Sequence, residues 1–171
     1  MTNQPPNIKL EAALFHLSRG RSVIPAGADK APLIKWRPFI TELPTEEQVR
    51  MWWLKFPNAN LAMVTGAISS LVVLDFDIKH GRTSKEFDLP ETAKAKSGSG
   101  GEHFYFKYPG AHVVKESAIF GSGVDIQGDS GLIILPPSVN ASGGTYEWIK
   151  NLEEGVAEMP EWLSDIVIDE K

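Results

Sequence analysis

The residues best suited to chemistry in this chain are Asp75 and Asp77, which flank Phe76 after the apolar run Leu71-Val72-Val73-Leu74. Side chains on a strand alternate faces, so a strand here points both carboxylates one way and Phe76 the other. Two like charges at the end of a buried strand repel each other and lose hydration. A cation between them removes that conflict, and hard oxygen donors at this spacing suit Mg²⁺ or Mn²⁺. Asp-x-Asp is also common as a solvated turn pair. The apolar run distinguishes this one, because sites in α/β sheets form where buried strands end.

Three further segments carry candidate groups. Ser99-Gly100-Gly101-Glu102-His103 leads into an alternating stretch. Glycines let backbone N–H groups approach phosphate oxygens, and successive N–H groups in a turn make an anion nest. The same segment also reads as a plain Gly/Ser turn before a strand. Gly123-Val124-Asp125-Ile126-Gln127 sets a carboxylate between two apolar residues, so Asp125 faces away from whatever they pack against. On the face of Asp75 and Asp77 it would complete a ligand set for one or two divalent ions. Leu135-Pro136-Pro137-Ser138, followed by Ser142-Gly143-Gly144-Thr145-Tyr146, fixes the backbone after another apolar run.

The elements that must position these groups are readable in outline. Residues 8–19 predict an amphipathic helix with Ile8, Ala12, Leu14 and Phe15 on its apolar stripe and Gly20 as its stop. Residues 22–25 predict a short strand. Thr45 and Gln48 form a capping box opening a helix to about Phe56, with Val49, Trp52, Trp53 and Phe56 inward. Strands are expected at 60–65, 71–77, 94–97, 102–108, 124–127, 132–135 and 145–149. The turn Gly128-Asp129-Ser130-Gly131 predicts a hairpin joining the two strands on either side of it. A short helix is expected over 160–168. The strand-rich stretch 93–149 implies a mainly antiparallel sheet carrying the chemistry, with the helices of 8–56 as a separate lobe or layer.

Composition bounds the rest. The 171 residues, 42% of them hydrophobic, suit one domain with a proper core. The chain has no cysteine, which excludes disulfides, thiolate metal sites and cysteine nucleophiles and suits a cytoplasmic setting. No apolar run is long enough for a membrane span, and the first residues carry no signal-peptide pattern. The formal net charge is −5, yet residues 151–171 alone carry −6. The remaining chain is close to neutral, so the acidic balance argues only weakly against a nucleic-acid partner.

Taken in order, apolar-Asp-x-Asp, Ser-Gly-Gly-x-His before a strand, Val-Asp before a Gly turn, an apolar strand and Pro-Pro-Ser resemble the archaeo-eukaryotic primase superfamily. The resemblance is closest to the bifunctional primase/polymerase (prim-pol) N-terminal domain of plasmids, phages and mobile elements. It extends to the strand ending in Pro25, Lys30-x-Pro32 with Trp36, Trp52-Trp53, Asn60 and Thr65-Gly66, and covers about residues 8–149. It implies an α/β (α+β) primase-like fold, with an N-terminal helical and α/β lobe packed on an RRM-like antiparallel catalytic sheet. The expected division is a disordered lead over 1–7, a catalytic domain over 8–150 with lobes 8–66 and 67–150, and an acidic segment 151–171 with a short helix.

The resemblance implies a DNA primase/polymerase, transferring nucleotides to a growing strand on a template. Asp75, Asp77 and Asp125 would hold two divalent ions. His103, Ser99, Gly100 and Gly101, with Lys96 and Ser138, would hold the nucleotide. Gln127 departs from the basic residue common in relatives, and Ser130-Gly131 from a Gly pair, so Lys96 or Lys107 would have to supply the missing charge. Template contacts are expected from Lys30, Lys35, Trp36, Arg37, Lys79, His80 and Arg82, since bases beside an aromatic suit phosphate contact and stacking. The implied partners are single-stranded DNA, NTPs or dNTPs and a helicase domain or protein, with the chain itself a monomer. Two other readings use the same residues: a primase-like module that only binds nucleotide or DNA, and a metal-dependent nuclease.

Overall fold

The computed structural model describes residues 6–169. Residues 1–5 of the expected lead over 1–7 therefore lie outside the described residues, and Asn7 belongs to the first helix as its cap. Asn7 caps the first helix, α1 (Ile8–Ser18), by accepting from the Leu10 N–H at 3.2 Å. Its inward face is Leu10, Ala13, Leu14, His16 and Leu17, and Ile8 and Phe15 are 60% and 42% exposed. Ala12 and Leu14 of the expected stripe pack against the core, whereas Ile8 and Phe15 do not. Residues 10, 13, 14 and 17 form the continuous i, i+3, i+4, i+7 row that packs, and the isolated bulk of Phe15 does not. Gly20 ends the helix with φ +79°.

Strand β1 (Ser22–Ala26) follows, then α2 (Glu46–Lys55). Both capping-box bonds of α2 are present, Gln48 N–H to Thr45 at 3.1 Å and Thr45 N–H to Gln48 at 2.9 Å. Val49 and Trp53 are its buried residues, and Trp52 meets Phe39 edge-on at 5.1 Å. Strands β2 (Asn60–Val64) and β3 (Leu71–Phe76) come next. β4 (Lys94–Lys96), β5 (Glu102–Lys107), β6 (Val124–Gln127), β7 (Leu132–Ile134), β8 (Glu147–Lys150) and α3 (Glu161–Val167) complete the fold.

The strands form two antiparallel sheets, a small one ordered β1-β2-β7 and a large one ordered β6-β3-β5-β4-β8. One face of the large sheet carries Leu71, Val73, Ala95 and Tyr105 into a core shared with α1, α2, β1 and β2. The other face carries Val72, Leu74, Phe76, Phe104, Phe106, Val124 and Ile126 against Leu163 and Val167 of α3. Because both faces of β3 are covered, its sequence is continuously apolar until Asp75.

The expected β6–β7 hairpin does not form. β6 lies at the edge of the large sheet and β7 pairs with β2 in the small one. Asp129 pins the turn between them by accepting from the Ala67 and Val113 N–H groups, each at 3.0 Å, and from the Tyr108 hydroxyl at 2.8 Å. Thr65 donates to the Gly128 carbonyl at 2.6 Å from the same side. β7 therefore crosses the expected 66/67 boundary, and the shared core ties the two halves together. No described helix is long and apolar enough to cross a membrane.

Candidate active site

Antiparallel register sets Asp75 directly opposite His103 on β5 and directly opposite Asp125 on β6. Opposed residues share a face, with Cβ atoms about 5 Å apart. Asp125, Asp75 and His103 thus form one row across three strands. The row lies on the face that looks toward the small sheet, because Phe76, Phe104 and Val124 beside it fill the opposite core. At this end the space between the sheets opens into a cavity of about 150 Å³. It is lined by Asp75, His103, Gln127, Lys30, Tyr146 and residues 132–134.

His103 is 4% exposed, and its Nε2 lies 3.3 Å from Asp75 Oδ1. Its Nδ1 is buried with no hydrogen-bond partner, as is Gln127 Oε1. Such orphaned atoms are costly unless something fills them. The charge on Asp75 reaches further. Burial first, then that charge, raises the pKa of Tyr146, whose ring centroid is 6.1 Å from His103, and the same causes raise Tyr105.

Asp77 stands just past the strand. Its N–H continues the ladder to the Gly123 carbonyl at 2.7 Å, in extended backbone. Its carboxylate accepts from the Lys79 N–H at 2.9 Å and lies 3.8 Å from His80 Nε2, so it caps the short 3₁₀ turn over 78–80. Asp125 Oδ1 accepts from the Ala118 N–H at 2.8 Å, bracing a loop residue held at φ +55°. The three carboxylates expected to hold two divalent ions, Asp75, Asp77 and Asp125, are therefore not gathered. Among the described residues no three acidic or histidine side chains converge closely enough to hold a metal ion. The donor chemistry still fits hard divalent ions, with Asp75 and Asp125 side by side by register and both partly exposed.

The glycine loop differs from expectation. The Gly100 N–H donates to the Ser97 carbonyl at 2.9 Å and the Gly101 N–H to Ser97 Oγ at 2.8 Å. Those two donors are therefore not an open anion nest. A Cβ on Gly101 would stand 2.3 Å from the Phe76 carbonyl, so this glycine permits close passage of the loop over the end of β3. Ser99 stays exposed at the tip. Sequence reasoning passed over Ser97; its place just before a Gly-rich turn was the available signal.

The remaining expected residues separate. Ser138 is fully buried, and its hydroxyl accepts from the Leu61 N–H at 2.8 Å and faces the Leu61 carbonyl at 3.3 Å. It fastens β2 and does not line the cavity of Asp75 and His103. Lys96 pairs in register with Glu102, which puts it on the face opposite His103. Lys107 is on the His103 face but lies four residues along β5, roughly 13 Å away. Arg82 is held by Glu86 and by the Ser122 carbonyl, each at 3.0 Å, with 19% of its side chain exposed, so it is not free for a template. Trp36 is half-buried against the small-sheet core; Lys35, Arg37, Lys79 and His80 are exposed. Lys30 alone of the expected template residues lines the cavity. Tyr146 was not foreseen as a site residue.

The fold and this row define a mixed α+β domain with a carboxylate–histidine site in a cleft between two antiparallel sheets. Residues 13–162 match the family described as bifunctional DNA primase/polymerase, N-terminal, and the chain belongs to that family. No curated protein matches the chain.

Proposed function

We propose that the domain is a template-directed nucleotidyltransferase of DNA replication, joining NTPs or dNTPs to a strand on single-stranded DNA. The observation that carries this reading is the Asp125–Asp75–His103 row, two of whose members, Asp75 and His103, line a cavity between the sheets, in a chain of the prim-pol family. Asp75 and Asp125, side by side by register, are the residues that would hold Mg²⁺ or Mn²⁺, and Asp77 would have to leave its turn-capping contacts to join them; the ion would supply charge neutralisation at the triphosphate and a lowered pKa for the attacking hydroxyl. Asp75 orients His103 through the 3.3 Å contact at Nε2. The unpartnered Nδ1 of His103 is then the nitrogen left to meet a phosphate oxygen. Gly101 lets the loop over 98–101 close down on the strand end, where the nucleotide would be shielded from water.

The test is synthesis on primed and unprimed single-stranded DNA, with NTPs and dNTPs compared in Mg²⁺ and in Mn²⁺. Template-dependent product that vanishes in Asp75→Asn is the expected result. Degradation of labelled DNA without nucleotides would point to a nuclease, and binding without synthesis to a module that has lost catalysis. Either outcome overturns the proposal.

A further inference from the structure

Lys30 is held at φ +73°, a left-handed conformation that costs a lysine more than a glycine or asparagine. The turn that holds it is closed by Gly27 N–H to the Ala31 carbonyl at 2.8 Å and Lys30 N–H to the Gly27 carbonyl at 2.9 Å. Asp29 braces it by accepting from the Ala31 N–H at 3.0 Å. The chain thus keeps a long cation where a smaller residue would sit with less strain.

That cation lines the cavity that also holds Asp75 and His103. Among the described residues lining the cavity it is the one permanent positive charge, since Gln127 is neutral and Lys96 and Lys107 lie elsewhere. It forms no ion pair with a described acid. Lys30 is exposed like Lys35 and Arg37, its neighbours in sequence, but those two do not line the cavity. An exposed, unpaired ammonium at the edge of a site for polyanions is matched by a phosphate chain.

We propose that Lys30 binds the triphosphate of the incoming nucleotide and is not a template contact. The inference rests on the nucleotidyltransferase reading for its substrate class, and its test separates the two. Lys30→Gly removes the cation while suiting the backbone, so misfolding is not the expected result; Lys30→Arg retains the charge. Nucleotide KM in primer extension should rise roughly 10- to 100-fold in Lys30→Gly, the range of one charge-assisted hydrogen bond. Lys30→Arg should recover most of that loss. Template affinity, read by anisotropy of labelled single-stranded DNA, should change less than about twofold.

Direct binding of labelled dATP, and its displacement by inorganic tripolyphosphate, gives a readout independent of turnover. Wild-type protein that binds tripolyphosphate in a Lys30-dependent way but never extends a primer supports this inference while overturning the polymerase reading. An active enzyme whose nucleotide KM and tripolyphosphate affinity are unchanged in Lys30→Gly overturns the inference alone. So does a variant that loses template affinity instead.

Discussion

His16 and His103 are buried to the same 4% exposure, yet their surroundings differ in sign. His16, on α1, accepts at Nδ1 from the Arg21 guanidinium at 2.9 Å, and Arg21 in turn meets Glu153 at 3.0 Å. A guanidinium only donates, so this nitrogen must stay bare and the ring neutral. Burial first and Arg21 second push the His16 pKa down to about 4, against a smaller opposing pull from Glu153. His103 faces a carboxylate instead and keeps an unmet nitrogen. Burial alone does not mark a functional histidine. A neighbour of opposite charge and an unfilled hydrogen bond do.

The largest expected effect breaks the His103 side of this comparison at its carboxylate. Asp75→Asn should lower nucleotide incorporation by about 10³-fold, the order seen when one key electrostatic group is lost. Its melting temperature should stay within a few degrees of wild type, since no described backbone group depends on its carboxylate and repulsion with Asp125 is relieved. Primer extension beside a thermal melt decides; collapse of the fold would make Asp75 structural.

On the His16 side the readout is stability and its pH dependence. The unfolded chain takes up a proton near pH 6.5, whereas the folded chain resists it until about pH 4. The unfolded state binds more protons in that window, so stability is full above pH 6.5 and falls as the pH drops to 4. The linked loss is about 3 kcal/mol at most. Urea melts across this range should show a flatter slope in His16→Gln, whose amide oxygen still accepts from Arg21. Equal slopes would mean that His16 is protonated in the folded state.

His103→Gln should cost roughly 10²-fold in incorporation, the lower end for a group that exchanges protons or hydrogen bonds in the transition state. His16→Gln should leave incorporation unchanged at neutral pH. If the two substitutions cost the same activity, the contrast between the histidines is wrong.

Much of this contrast was legible in the sequence. The apolar run into Asp75 and Asp77, the strands around His103 and Asp125, and the Thr45–Gln48 capping box are local patterns, and each formed as expected, although β5 is buried on both faces where alternation was expected. Pairing was not legible. A four-residue Gly-containing turn between two apolar strands satisfies every local rule for a hairpin, yet β7 joins the other sheet. What overrides the turn is tertiary: Asp129 and Thr65 bond to segments far away in sequence. For the glycine loop the sequence allows both an anion nest and a plain turn, and the plain turn forms because Ser97 takes up the N–H groups that the nest would offer.

Ser138 carries the smallest prediction and sharpens the boundary between site and scaffold. Its place in Pro-Pro-Ser suggests a nucleotide contact, but its hydroxyl serves the Leu61 backbone at the start of the β2–β7 pairing. Ser138→Ala leaves the buried Leu61 N–H without an acceptor, which costs about 1–2 kcal/mol of stability. Nucleotide KM should not move, because the hydroxyl faces Leu61 and Ser138 does not line the cavity of Asp75 and His103. A raised KM with unchanged stability would put Ser138 back among the nucleotide contacts. It would also mean that the strand carrying it shifts toward the cleft when nucleotide binds.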